Sequence, residues 1–223
     1  ILVDGMESWI DMEGNPYFYG LSSHENVEIK LYNKANPLKP WKTMGRMHDK
    51  YLIADGKIYI LGGRNTYNYF LGDFPGHKNF DRDVLVVCDE PQKDNSVNQL
   101  WNYFETIWEQ EDCRYFHNSK KLADRQSVKK AVLELQEGYQ QYFEVNKEKI
   151  CDTDYADETF ETEKIILLSN PIHTQAKEPV VWYQLGELMK NAKERVKIHT
   201  PYIICNDMMY LSLIHISEPT RPY

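Results

Sequence analysis

The spacing of apolar residues divides the chain into short strands and a few helices. Ile1 to Val3, Val27 to Tyr32, Lys50 to Ala54, Lys57 to Leu61 and Val84 to Val87 are β-favouring runs bounded by turn residues, and they predict strands of one sheet. Asp55-Gly56 sits between Tyr51-Leu52-Ile53 and Lys57-Ile58-Tyr59-Ile60-Leu61, which predicts a two-residue hairpin turn, since Asp-Gly tolerates the positive φ such turns need. Ser96 is the expected N-cap of a helix through about Gln110, with Leu100, Phe104, Ile107 and Trp108 on one face. A second helical pattern runs from Arg125 to Ile150, and its Val128, Val132, Leu135, Tyr139 and Tyr142 are expected to pack on the preceding lobe. The fold class is therefore α/β, with a mixed β-sheet flanked by helices.

The remainder divides by composition. Asp152 to Glu163 is acidic and poor in apolar residues, so 151–164 reads as an exposed linker. Ile165 to Leu168 is expected to open a second lobe as a strand, and Pro179 to Arg195 to supply its first helix. A chain of 223 residues with 42% hydrophobic content can build one large domain, or one lobe plus part of another. No run approaches the roughly 18 apolar residues of a membrane span. The net charge of -8 speaks against broad nucleic-acid binding, which depends on neutralising phosphates with basic residues. Locally the balance reverses, because Lys39, Lys42, Arg46 and Lys50 form a positive patch that suits an anionic headgroup or is simply a solvated loop. Cys88, Cys113, Cys151 and Cys205 are widely spaced, without a zinc-type pattern, and read as reduced thiols.

The densest chemistry lies in His48-Asp-Lys50-Tyr-Leu-Ile-Ala-Asp55, followed by Gly62-Gly63-Arg64-Asn65. Side chains alternate across a strand, so His48 and Lys50 are expected on one face and Asp49 on the other. The hairpin returns the chain beside His48, where Gly62 and Gly63 allow a phosphate or a neighbouring backbone to come close and Asn65 can hydrogen-bond a phosphate oxygen. A histidine, a lysine and an asparagine so gathered suit attack on a phosphodiester through a phosphohistidine, with no metal and no cofactor. Asp55 is first a turn residue, with contact to the substrate as the alternative that would make it a catalytic candidate. His173, in the Asn170-Pro171-Ile172-His173 loop, lines a cleft or simply faces solvent.

His48-x-Lys50-x4-Asp55-x6-Gly62-Gly63-x-Asn65 resembles the HKD signature of the phospholipase D superfamily. The surroundings are similar to its cardiolipin synthase-like branch: Glu28 to Asn33 and Arg46-Met47 before the motif, Tyr67, Tyr69 and Phe70 after it, then Asp81-x-Asp83-Val84-Leu85-Val86 and Leu100 to Trp108. The resemblance implies a phospholipase D-like first lobe over 1–150 and the start of a similar lobe over 165–211. It implies a phosphatidyltransferase of phospholipid biosynthesis in which one motif histidine attacks phosphorus and another protonates the leaving alcohol. His48 is the expected nucleophile, with general acid as the other possibility; Lys50, Asn65 and Gly63 would bind phosphate. Asp81, or Asp83 in its place, would hydrogen-bond the imidazole, unless it is an ordinary strand-entry aspartate. The implied partners are an anionic phospholipid such as phosphatidylglycerol, a membrane surface facing the cytosol, as at a bacterial inner membrane, and a second motif-bearing lobe. A hydrolytic phosphodiesterase acting on phospholipid or nucleic acid would use the same residues, and a non-catalytic membrane-associated relative is the further alternative.

None of His24, His77, His117, His173, His199 and His215 has a lysine two residues on, so the chain carries one motif where the family closes its site from two. It is expected either to dimerise or to be a fragment, and by itself to be inactive. The opening at Ile1 without methionine points to a fragment, as does Glu187 to Tyr202, which resembles the family's second-lobe helix and strand. The last residues, 212–223, resemble a translated sequencing-adapter tail that should add nothing to the fold.

Overall fold

The computed structural model describes residues 1–67, 70–71, 75–88, 94–117, 119–175, 178–200, 207, 209–211 and 213; Tyr69, Cys205, His215 and nearly all of the 212–223 tail lie outside them. The chain forms two compact units, Ile1–Leu167 and Leu168–Tyr223. Both expected sequence classes are present, and the molecule is mixed α/β. The strands, however, do not make one sheet.

In the first sheet β2 (Lys30–Tyr32) is central, with β1 (Leu2–Asp4) parallel on one side and β6 (Cys113–Tyr115) antiparallel on the other. Only Lys30–Tyr32 of the expected run from Val27 pairs with neighbours on both sides, and β6 lies in a stretch with no strand signal. Leu31 and Ile29 are buried with Met12, Tyr19, Phe116 and Val128. Tyr19 belongs to α2 (Pro16–Ser22), which starts at a side-chain cap from Asn15 to Tyr17 N with Pro16 at the first helical position. Between β1 and α2 come the short α1 (Gly5–Glu7) and one π-helical turn, Ser8–Met12.

The second sheet is antiparallel, in the order β3 (Tyr51–Ala54), β4 (Ile58–Gly62), β5 (Asp83–Val87). One face carries Tyr51, Ile53, Tyr59, Leu61 and Val86 against Val97 and Leu100 of α3 (Ser96–Trp108). The other face leaves Leu52, Ile58 and Ile60 exposed. The split into two sheets corrects the single-sheet expectation. Period-2 alternation identifies strands but carries no information about which strand lies beside which, because that is decided by contacts distant in sequence.

The hairpin differs by one residue. Asp55 and Gly56 both have positive φ, at 53° and 65°, and Lys57 N donates to Ala54 O at 3.0 Å, as expected of the turn. Pairing resumes at Ala54 opposite Ile58, so Lys57 is an extra loop residue whose carbonyl accepts from Cys88 N at 2.8 Å.

The helices follow their patterns with three corrections. Asn95, not Ser96, caps α3, its side chain accepting from Asn98 N at 2.8 Å; Ser96 is buried and receives a hydrogen bond from Tyr59 Oη instead. After the four-residue α4 (Lys120–Ala123), α5 (Gln126–Cys151) buries Val128 and Ala131 but leaves Leu135, Tyr139 and Tyr142 exposed, so only its first turns pack as expected. Ile165 to Leu168 is not a strand. It pairs with no strand among the described residues; Leu167 N is satisfied by Gln99 Oε1 at 3.2 Å and its side chain joins the second-sheet core. The acidic run from Asp152 is turn and irregular backbone, as expected. In the second unit α6 spans Val180–Lys190, and Val181 N donates to Asn170 Oδ1. Among the described residues no helix is long and apolar enough to cross a membrane.

Candidate active site

The motif residues leave one end of the second sheet. Gly62 N donates to Lys50 O at 3.2 Å, so pairing extends one residue beyond β3 toward the motif, and on its other side Gly62 pairs with Asp83. By strand alternation Lys50, Gly62 and Asp83 share the sheet face opposite Tyr51 and Leu61. His48 precedes Lys50 by two residues, Asn65 follows Gly62 by three, and Asp81 precedes Asp83 by two, so all three project from this same end. Asp55 does not. It is exposed in the turn at the far end of β3, about 16 Å of strand from Lys50.

The segment entering the motif is irregular backbone and is held by side chains from the first sheet. Asp4, at the end of β1, is buried, with four donors around its carboxylate. Oδ1 accepts from Met6 N at 3.0 Å, Glu7 N at 3.4 Å and Arg46 Nε at 2.8 Å, while Oδ2 accepts from Met47 N at 2.9 Å. Arg46 also donates to Glu7 Oε1 at 2.8 Å, and these acids raise its guanidinium above its ordinary value. Asn33, just past β2 at φ 49°, donates from Nδ2 to Lys42 O at 2.7 Å and Gly45 O at 2.8 Å. The backbone one residue before His48 is therefore fixed by a carboxylate that was not among the sequence candidates.

Among the described residues, neither the imidazole of His48 nor the carboxamide of Asn65 makes a hydrogen bond, and His48 is exposed. Lys50 Nζ donates to His48 O at 2.6 Å. Its ammonium is pushed below the usual lysine range by partial burial, against the opposing pull of Asp49 and Asp81. Asp49 turns to the other side and accepts from Tyr103 Oη at 2.7 Å. Burial raises the Tyr103 phenol, and that hydrogen bond raises it further.

Neither candidate carboxylate reaches the His48 imidazole in this state. Asp81 Oδ1 accepts from Arg82 N at 2.9 Å, and Oδ2 lies 2.7 Å from where a Cβ on Gly63 would sit. Asp83 is held by Arg64, whose Nε donates to Oδ2 at 2.6 Å, while its other nitrogens donate to Phe70 O at 2.8 Å and Asp81 O at 3.0 Å. Arg64 thus ties the end of β4 to the start of β5. The only hint of it in the sequence is its place within Gly-Gly-Arg-Asn. The groups that approach the two glycines are the carboxylates of Asp83 and Asp81.

A methyl group on Gly62 would collide with the Asp83 carboxylate and lie 2.9 Å from the Asp83 Cα. Gly62→Ala is therefore expected to cost about 1–3 kcal/mol, the range for overpacking. The urea midpoint measures it. An unchanged midpoint would show that β5 yields without cost.

No group of three or more histidine, cysteine or carboxylate side chains among the described residues is arranged to hold a metal ion. At this end of the sheet an imidazole and a carboxamide with no hydrogen bond among the described residues stand with one ammonium, a set of groups suited to an anionic, phosphate-like group. No protein-family model, curated protein or solved structure matches the chain.

Proposed function

We propose that the chain is the motif-bearing first lobe of a phospholipase D-like phosphatidyltransferase of cardiolipin synthase type, acting on an anionic phospholipid at a cytosol-facing membrane surface. The observation that carries this reading is the common exit of His48, Lys50 and Asn65 from one sheet end, with an imidazole that makes no hydrogen bond among the described residues. In the first step an imidazole nitrogen of His48 bonds to phosphorus, and the bond from phosphorus to the headgroup oxygen breaks. A second histidine, from a second motif-bearing lobe or a second copy, gives that oxygen its proton. In the second step an acceptor alcohol loses its proton to the same group and bonds to phosphorus, releasing His48. Lys50 and Asn65 stabilise the charge on the equatorial oxygens throughout.

The test uses the complete product of the gene that encodes this sequence, with phosphatidylglycerol and a chelator. Two phosphatidylglycerol molecules should give cardiolipin and glycerol, and rapid quenching should trap an acid-labile phosphoryl label that maps to His48. Phosphatidic acid as the main product would make water the acceptor and the enzyme a hydrolase. Turnover that the chelator stops, or that leaves His48 unlabelled, overturns the phosphohistidine reading.

A further inference from the structure

The loop that leads into the motif carries three of the most exposed large apolar side chains in the unit. Leu38 is 85% exposed, Trp41 72% and Met44 86%. Trp41 and Met44 lie on the 3₁₀ turn Pro40–Met44, where residues three apart stand one above the other, and Leu38 precedes Trp41 by the same interval. An apolar stripe therefore stands out from the surface four residues before His48. It belongs to neither buried cluster.

The loop is built, not loose. Successive backbone turns close at Lys39 N to Asn36 O, Lys42 N to Lys39 O and Gly45 N to Lys42 O, at 2.9–3.1 Å. Asn33 holds the carbonyls of Lys42 and Gly45, and Lys42 Nζ reaches Asp112 at 3.0 Å. Such fixing keeps three apolar side chains in water, a cost of the kind a binding surface recovers when it is covered.

The composition of the stripe, with the ammonium of Lys39, unpaired among the described residues, within it, points to what covers it. From residue 34 to 50 the chain carries Lys34, Lys39, Lys42, Arg46 and Lys50 against Asp49 alone, within a protein of net charge -8. Lys34, Lys42 and Arg46 are each paired with acids, so their contribution is reduced, while no acid lies within ion-pair distance of Lys39 among the described residues. Exposed leucine, tryptophan and methionine interleaved with lysine is the composition of segments that seat their apolar side chains at the headgroup boundary of an anionic bilayer.

We infer that Leu38, Trp41 and Met44 form a wedge that enters the interface of an anionic membrane and holds the His48 end of the sheet against it. The inference rests on the reading of a membrane-borne substrate, but its residues are separate from the motif, so either can fail alone. The full chain is mixed with vesicles of phosphatidylglycerol and phosphatidylethanolamine and floated. The wild type should float. Replacing Leu38, Trp41 and Met44 together by serine should weaken binding by about a hundredfold or more, since three large apolar groups are withdrawn.

All three positions are exposed, so the triple variant should keep its urea midpoint. If it does not, lipids brominated along the acyl chain provide the second measurement: they should quench wild-type emission clearly more than that of Trp41→Phe. His48→Asn should float like the wild type even where transfer is lost. A wild type that stays free of vesicles, a triple variant that floats equally well, or quenching that Trp41→Phe leaves unchanged each overturns the inference. So does self-association in the absence of lipid that the triple variant abolishes while its vesicle binding persists, because the stripe would then bind protein.

Discussion

His48→Asn in the complete gene product is expected to lower phosphatidyl transfer by at least about a thousandfold, the scale on which removal of a covalent nucleophile is felt. The variant suits the test because the imidazole is exposed and makes no hydrogen bond among the described residues. The unfolding free energy from urea titration should therefore change by no more than about 0.5 kcal/mol. Lys50→Met should cost about a hundredfold in kcat, because a positioned charge on the equatorial oxygens is lost while the nucleophile remains.

Lys50 also predicts an alkaline limb. Partial burial lowers its pKa, so the charged form disappears at a lower pH than for an ordinary lysine, and the activity that depends on it falls there. Stability moves the other way. With the folded pKa below the unfolded one, the unfolded chain binds more protons between the two values, and raising the pH through that window stabilises the fold. Activity that falls while the melting temperature holds or rises is the signature. Transfer that survives His48→Asn within tenfold would remove His48 from the mechanism.

Asp4→Ala should be the most damaging substitution outside the motif. The carboxylate takes Met6 N, Glu7 N, Arg46 Nε and Met47 N, and it is nearly buried. Alanine would leave those amides without their acceptor and take the Asp4 carboxylate from the Arg46 guanidinium. About 2–4 kcal/mol is expected, after discounting Arg46 for its contact with solvent. Transfer should fall as well, through kcat, because the backbone next to His48 loses its anchor. Asp4→Asn separates the two effects: it can still accept at one oxygen, so it should restore much of the stability and less of the transfer. Equal transfer by Asp4→Ala and wild type, measured where both are folded, would show that the anchor has no part in placing His48.

How much of this was legible in the sequence depends on the range of the interaction. The hairpin was, because Asp55-Gly56 acts on the backbone next to it. The α3 face was, because Leu100 and Ile107 recur at helical spacing within one element. The common exit of His48, Lys50 and Asn65 followed from alternation and one turn. Asp4 and Asn33 were not legible as anchors of the motif, since the loop groups they hold there, Arg46, Met47 N and the carbonyls of Lys42 and Gly45, lie roughly ten to forty residues away and take their positions only once both sheets have formed. Cys113–Tyr115 was missed for the same reason: three residues become a strand only because Lys30–Tyr32 lies beside them. Ile165 to Leu168 fails in the opposite direction, with strand composition and no strand beside it among the described residues. Ser96 lost the cap to Asn95 because Ser and Asn are both good caps and burial against Tyr59 decided between them.

The extra loop residue at Lys57 reaches further than its exposed position suggests. It sets β4 so that Tyr59 and Leu61 face inward and Gly62 falls opposite Lys50. A two-residue loop on the same sequence would bring Lys57 opposite Ala54, slip the ladder by one and turn every side chain of β4 over relative to β3. Ile58 and Ile60 would then compete for the core, and Leu61 would stand where the glycine leaves space next to the lysine. The number of residues in a solvent-facing turn thus decides which side chains meet at the other end of the sheet.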